Sequence, residues 1–242
     1  IPYTGAPPAA IATCYDKEIV RLVARAHGVA VPREHFLSAD ASPDELPDFF
    51  PALLKPNQAD GSVGITQDAV VRSRDEARRY LRWLRETLPG RDVLVQEYLP
   101  GPEYGIGLVG NPAHGLLALP ALEVDFSRLP ERLAPILSFE SKAIPDSPYW
   151  TEIRFARAAL APDVEARLVD WSEWLFRRLG LRDYARFDFR TSAGGEIALL
   201  EVNPNPAWAN DGKLAFMAGF AGIAYRDLLR AILDAALARV GA

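Results

Sequence analysis

The sequence predicts a mixed α/β chain of the α+β kind, and three observations carry the prediction. Stretches with helical apolar spacing alternate with short apolar strands, and two late strands joined by a glycine turn read as a hairpin. At 242 residues and 49% hydrophobic, the chain can also bury a sizeable core, as one large domain or two small lobes.

The elements follow in order. "DKEIVRLVARAHG" places Ile19, Val20, Leu22, Val23 and Ala26 on one helical stripe, with Asp16 at the start and Gly28 just past the end. "FPALLKP" is a short strand ending in Lys55, since Pro56 cannot continue a central strand. "SRDEARRYLRWLRETLPG" is a helix with a capping box, Ser73 with Glu76, stopped by Pro89 and Gly90. "DVLVQEYL" and, after the turn "PGP", "EYGIGLVG" are strands, so the first lobe reads strand, strand, helix, strand. Between Asn111 and Trp150, "LLALPALEV" and "PILSFESKAI" look strand-like, with no fixed boundaries. "APDVEARLVDWSEWLFRRLG" is an amphipathic helix with Pro162 in its first turn and Gly180 at its end. "YARFDFR", the turn "TSAGG" and "EIALLEVN" make the hairpin, and "AYRDLLRAILDAALARV" is a closing helix. There are no internal repeats or low-complexity tracts.

Composition narrows the function. A formal charge of -5 argues against nucleic acid or an anionic membrane as partner, so phosphate chemistry must be local. The single cysteine, Cys14, excludes an intrachain disulfide, and His27, His35 and His114 lack metal-ligand spacing. No apolar run reaches the roughly 20 residues that cross a bilayer, and "IPYTGAPPAA" lacks the features of a signal peptide. A cytoplasmic protein is expected. The missing initiator Met leads us to expect a chain that begins within a longer protein or after processing.

Chemistry appears at the hairpin. Strict alternation puts Arg186, Asp188 and Arg190 on one face of its first strand, and Ala185, Phe187 and Phe189 on the other. On the second strand it puts Glu201 and Asn203 with Ile197 and Leu199, opposite Ala198, Leu200 and Val202. If Asp188 pairs with Glu201, two carboxylates meet the Asn203 amide at one spot. Like charges across a sheet repel by about 0.2 to 1 kcal/mol, and a divalent cation would reverse the sign. Hard oxygen donors without imidazole or thiolate suit Mg²⁺. A solvated, chemically idle hairpin face is the other reading.

Two loops add to this. "KPNQADGSVGI" sets Lys55 before a loop in which Gly61, Ser62 and Gly64 let backbone approach an anion, although it is not the P-loop pattern and also suits a plain turn. "VLVQEYLPGPEYG" carries Gln96, Glu97 and Glu103 at the end of an apolar strand. Such a segment can read adenine through its backbone and ribose through a carboxylate, or be a plain strand and turn.

In order, Lys55 with its Gly/Ser loop, "VQEYLPGPEY", Lys142, "ARFDFR" and "LLEVNPNP" resemble the ATP-grasp superfamily, closest to the D-alanine:D-alanine ligase branch. The opening "IPYTG" followed by "DK" resembles that branch too, and the resemblance covers nearly the whole chain. It implies two lobes, 1–98 and 99–242, each with a mainly antiparallel sheet and packed helices, and a nucleotide between them. It implies that Lys17 and Lys55 contact ATP phosphates, with Gly61, Ser62, Val63 and Gly64 closing over the γ-phosphate. Gln96, Glu97, Tyr98 and Leu99 would meet adenine, and Glu103 the ribose. Lys142 would reach the nucleotide, with Pro145 to Trp150 a mobile loop over the site. Asp188, Glu201 and Asn203 would ligate two Mg²⁺ ions, for which Mn²⁺ can substitute, and Arg186 would steady the transferring phosphoryl group.

The implied reaction joins a small carboxylate to an amine through an acyl phosphate, releasing ADP and phosphate. Two departures qualify it. The branch carries an upstream domain that the 242 residues do not include, and its members often form homodimers through it, so the resemblance implies a possible homodimer in the full-length protein. After "NPNP" the branch has a Ser-Pro-Gly-Met type stretch, where this chain has Asn205, Pro206, Ala207 and Trp208. A different acceptor is expected, with Asn205 and Trp208 shaping its pocket. An ATP-grasp carboxylase using bicarbonate and a non-catalytic nucleotide-binding module stay open as alternatives.

Overall fold

The structure, a computed structural model, describes residues 1–241. Helices α1 (Pro8–Tyr15) and α2 (Lys17–Ala26) lead into strands β1 (Glu34–Leu37), β2 (Ala52–Pro56) and β3 (Val70–Val71), helix α3 (Arg74–Thr87) and β4 (Val93–Glu97). β5 (Glu103–Asn111), β6 (Gly115–Ala118) and β7 (Leu122–Asp125) follow, then the short helices α4 (Glu140–Ala143) and α5 (Pro148–Thr151), β8 (Arg154–Arg157) and α6 (Pro162–Arg178). The hairpin β9 (Tyr184–Thr191) and β10 (Ile197–Asn203) precedes α7 (Lys213–Phe220) and α8 (Tyr225–Val240).

Two antiparallel sheets result. A four-stranded sheet runs β1-β4-β2-β3, and a six-stranded sheet runs β10-β9-β5-β7-β8 with β6 also on β5. Side-chain alternation gives the larger sheet two different faces. Ile106, Leu108, Phe187 and Phe189 point into a core shared with Ala10, Val20 and Ala24 of α1 and α2 and with Leu168, Leu175 and Phe176 of α6. Arg186, Asp188 and Arg190 point the other way, toward the cleft, while α7 and α8 cover more of that side with Leu214, Met217, Leu228 and Ile232. Chain order groups α1 and α2 with residues 1–98, but in space they pack on the six-stranded sheet. A boundary near residue 98 is thus a proposal about folding units.

The helices form for the reasons their sequences supply. Asp16 caps α2 by accepting from the Ile19 amide at 3.1 Å, and α3 buries Ala77, Tyr80, Leu81 and Leu84 at helical spacing. Ser73 caps α3 by accepting from the Glu76 amide, but Glu76 accepts from Arg72 at 2.7 Å rather than from Ser73, so the expected box is displaced by one residue.

Four expectations need correction. On α2 the expected stripe of Ile19, Val20, Leu22, Val23 and Ala26 does not face the core as a set: Ile19, Leu22 and Ala26 are exposed, and Lys17, Val20, Arg21 and Ala24 are the buried residues. "LLALPALEV" is two strands, because Pro120 has no amide to donate; β6 and β7 pair with opposite ends of β5. "PILSFESKAI" is a loop ending in α4, held by turn bonds such as the Lys142 amide to Phe139 O at 3.0 Å. Most instructive, a β-bulge interrupts β10 between Leu199 and Glu201. Leu199 pairs with Phe189, Glu201 with Asp188, and Leu200 is the extra residue. Ile197, Leu199 and Val202 therefore all face the core, while Leu200 lines the cleft, unlike the strict alternation expected.

Candidate active site

A cleft of about 680 Å³ lies between the two sheets. Its floor is the charged face of the hairpin. Asp188 and Glu201 sit directly across the β9–β10 ladder, a register that the bulge creates, since the unbulged hairpin would pair Asp188 with Leu200; Asn203 lies opposite Arg186 farther along. The bulge is what turns Glu201 and Asn203 to the same side as Asp188. Arg186 forks onto Asp188, its Nε donating to Oδ1 and its Nη2 to Oδ2, both at 2.8 Å. Burial raises the Asp188 pKa, but Arg186 and then Lys213 outweigh it and hold the carboxyl well below the usual range. Burial likewise opposes ionisation of Glu201, while Lys17, Lys142 and Lys55 pull its pKa down against the charge of Asp188.

Lys55 is buried on β2 and donates to Gln96 Oε1 on β4 at 3.1 Å. Burial depresses its pKa well below the ordinary value, and the charges of Arg21 and Lys17 add to the depression. The other half of the Gln96 amide is informative. Nε2 is buried and lacks a hydrogen-bond partner among the described residues, a cost of about 1 to 3 kcal/mol unless an acceptor arrives. Leu53, Tyr98, Leu99, Ile136 and Leu137 line the cleft with it, so an orphan donor stands beside an apolar slot suited to a planar base.

Glu103 is buried on β5 between two cations, 3.3 Å from Arg190 Nη1 and 3.8 Å from Lys213 Nζ. Arg190 in turn lies over the rings of Tyr98 and Phe126 and donates to Pro135 O at 2.6 Å.

The roof is made of two loops in contact. Gly61 and Ser62 have φ near +60°, and Gly64, at φ +75°, lies so close to Pro56 that a Cβ would meet its Cγ at 2.6 Å. Ser62 Oγ donates to Leu137 O at 2.8 Å and accepts from Lys142 Nζ at 2.8 Å. The Phe139 amide donates to Ile65 O at 2.7 Å, and the Gln67 amide to Glu140 Oε1 at 3.2 Å. The glycine loop and the 137–142 segment thus form one cover. Pro145 to Trp150 lies beside it, with Ser147 capping α5 and Tyr149 and Trp150 lining the cleft.

Most of the residues expected from the sequence converge here: Lys55, Gly61, Ser62, Gln96, Glu97, Tyr98, Leu99, Glu103, Lys142, Arg186, Asp188, Glu201, Asn203 and Asn205 all line the cleft. Lys17, Val63, Gly64 and Trp208 do not. Lys17 is buried behind the glycine loop, donating to Ala59 O, and burial lowers its pKa against the pull of Glu201. Trp208 packs against Tyr184 with ring centroids 5.5 Å apart, and its carbonyl accepts from the Tyr225 hydroxyl. It is 43% exposed and forms no wall of the cleft. Asn205 does reach the cleft, and its Oδ1 accepts from the Tyr184 hydroxyl.

Lys213 was missed. It opens α7, whose seat on β5 depends on two glycines: a Cβ on Gly105 would lie 2.8 Å from Met217 Cε, and one on Gly107 2.7 Å from Leu214 Cδ2. Alternate glycines inside a strand are a signal of close approach by another element. They could have pointed to a helix here, though not to its lysine.

The donor set suits Mg²⁺. No three His, Cys, Asp or Glu side chains cluster as a metal cage among the described residues, but two carboxylates and an amide oxygen on one face leave room for water and phosphate to complete six-fold coordination. Among the same residues no helix is long and apolar enough to cross a membrane.

Comparison with known proteins fits this geometry. Residues 41–234 match the family model for the D-ala D-ala ligase C-terminus. The chain is 30% identical over 241 residues to protein y4sG of Sinorhizobium fredii, covering 98% of this chain and 66% of that protein. It is 28% identical over 240 residues to D-alanine--D-alanine ligase B of Chromobacterium violaceum, covering 97% and 71%. It thus spans about two thirds of the length of these relatives. The structure of a Bacillus anthracis D-alanine--D-alanine ligase complexed with ATP superposes with a TM-score of 0.76 at 23% identity, over 99% of this chain and 71% of that one. The chain belongs to the D-alanine:D-alanine ligase C-terminal family and has the ATP-grasp fold.

Proposed function

We propose that this member of the family is the nucleotide-binding and catalytic part of an ATP-dependent carboxylate–amine ligase. The observation that carries the reading is the convergence on one cleft of Lys55, Lys142 and Arg186 with Asp188, Glu201 and Asn203, next to the unpaired Gln96 amide. A carboxylate oxygen attacks the γ-phosphorus of ATP and the bond to the bridging oxygen of ADP breaks, leaving an acyl phosphate. An amine nitrogen then attacks the acyl carbon, loses a proton, and expels phosphate, forming an amide or peptide bond.

The first step brings anion to anion, so the chain's task is positive charge in fixed positions. Lys55 and Lys142 offset the phosphate charge from the small sheet and the cover loop. Arg186, pinned by its fork on Asp188, faces the transferring group. Asp188, Glu201 and Asn203 would hold Mg²⁺, which when bound supplies charge neutralisation and orientation of the phosphate oxygens. Glu97, Tyr98 and Leu99 border the base, with Gln96 Nε2 donating to one of its ring nitrogens, and Glu103 accepts from the ribose. The joined loops exclude water from an intermediate that water would hydrolyse.

The departure of Asn205 and Ala207, which line the cleft, from the stretch the sequence resembles supports an acceptor other than D-alanine. Trp208 takes no part in that argument. The test has two stages. Mg·ATP should raise the melting temperature of the chain. Amino acids screened with the full-length protein should then release ADP in an amine-dependent, bicarbonate-independent manner. No thermal shift together with no ADP release under any amine would overturn the reading.

A further inference from the structure

One buried charge has no task in the reaction as described. Arg21 is fully buried on the inner face of α2, where an apolar residue would ordinarily sit, and a charge in such a place needs partners. We infer that Arg21 is a positioning residue for the ligase site: it holds the β10 bulge by the carbonyl of Leu200 and so keeps the adjacent Glu201 turned into the cleft. The inference rests on the proposed function and extends it to a residue that does not itself line the cleft.

The guanidinium joins three elements. Its Nη1 donates to Leu200 O at 3.1 Å, and Leu200 is the extra residue of the bulge. Its Nε pairs with Glu34, itself nearly buried on β1. Because α2 packs on the six-stranded sheet and β1 belongs to the four-stranded one, this pair also ties the hairpin to the opposite wall of the cleft. A second bond grips the residue before the bulge, from the Leu199 amide to Ala30 O at 2.8 Å. β10 is the edge strand of its sheet, so these contacts stand where a further strand would.

The register shows what the grip controls. A bulge leaves its extra residue out of the ladder and bends the strand. Without it, the spacing of β10 would set Leu200 opposite Asp188 and Glu201 opposite Phe187, which faces the core. The direction of the carboxylate thus depends on one inserted residue. Arg21 holds that residue by its backbone and leaves the Leu200 side chain to line the cleft.

Metal affinity reads the direction of Glu201 without turnover. Mn²⁺ binding is followed by the electron paramagnetic resonance of the free ion, with the chain at saturating non-hydrolysable ATP analogue and corrected for Mn²⁺ on free nucleotide. Arg21→Met should weaken Mn²⁺ on the order of tenfold or more, as for other groups that orient a metal ligand, and Arg21→Lys, which keeps a donor, should recover most of the loss. In a Glu201→Gln background, Arg21→Met should add little, whereas a general loosening of the fold would weaken both backgrounds alike. Glu34→Gln, which frees the guanidinium at its other end, should weaken Mn²⁺ by a smaller factor and decides the matter should Arg21→Met not fold. Unchanged Mn²⁺ affinity in a folded Arg21→Met or in Glu34→Gln, or an equal loss in the Glu201→Gln background, would overturn the inference while leaving the ligase reading in place. Failure of the wild type to bind Mn²⁺ with the analogue would instead overturn the ligase reading, and this inference with it.

Discussion

The β9–β10 hairpin and the paired loops at 60–67 and 137–142 bring charge to the same cleft by opposite means. Asp188 and Glu201 are held facing each other by a sheet ladder with a hydrophobic core behind it, and fixed cations, Arg186 on Asp188 and three lysines around Glu201, offset their repulsion. Lys142 and Ser62 are held by a few hydrogen bonds between two loops, each worth about 1 kcal/mol net. The hairpin is therefore the fixed half of the site and the loops the half that can open. Under the proposed function, substrate entry and water exclusion would belong to the second, and orientation of the reacting phosphate to the first.

That division can be broken most severely at Glu201. Glu201→Ala should lower ADP release by a factor on the order of 10³, in line with loss of a fixed electrostatic element. Because Lys17, Lys142 and Lys55 outweigh Asp188 and hold this carboxylate ionised, its removal should lower the urea midpoint of the unliganded chain only slightly. A large loss of stability would instead mean that the pair is structural.

Lys55 sharpens the cost of holding a charge in the rigid half. Burial depresses its pKa, so the unfolded chain binds the proton more tightly than the folded one. Stability from this residue therefore rises as pH increases from the folded pKa toward about 10.4, where the unfolded lysine also loses its proton. Lys55→Met should be more stable relative to wild type at pH 7 than at pH 10.5, and its melting temperature should no longer respond to Mg·ATP. Thermal unfolding at the two pH values, with and without nucleotide, measures both.

The loops should respond differently. Ser62→Ala removes the donor to Leu137 O and the acceptor of Lys142, which should reduce ADP release roughly tenfold and speed proteolytic cutting between residues 60 and 67, with the melting temperature nearly unchanged. Unaltered proteolysis would show that the contact does not hold the cover shut. The smallest effect is expected at Trp208, which stands outside the cleft: Trp208→Ala should leave ADP release within about twofold of wild type, as for other surface changes. A selective rise in the KM for the amine would return the indole to the acceptor pocket.

Much of this molecule was legible in the sequence, where local rules suffice. The stripes of α3, α6 and α8 follow from apolar spacing, whereas the stripe expected on α2 is mostly exposed; the hairpin itself was legible, but its turn length alone pairs Asp188 with Leu200, and only the bulge brings Glu201 opposite Asp188. Family membership followed from the order of the motifs, since Lys55, "VQEY", Lys142, "RFDF" and "EVNP" keep their sequence however the lobes sit. The short elements were not legible. β1, β3, β8 and α7 are too brief to show a period, and each forms because a neighbouring strand or sheet face supplies the partner.

At the site, the sequence by itself determined which charges and oxygen donors exist and which of them share a strand. Tertiary structure decided where they point. The bulge at Leu200 breaks a period that sequence reading must assume unbroken, and so sends Leu199 to the core and Glu201 to the cleft. Trp208 does not line the cleft, and its indole packs on Tyr184 while its carbonyl accepts from the Tyr225 hydroxyl. Lys213 enters the cleft because two glycines on β5, more than a hundred residues earlier in the chain, let α7 approach. Each outcome depends on contacts between segments distant in sequence, and pattern within a segment carries no information about them.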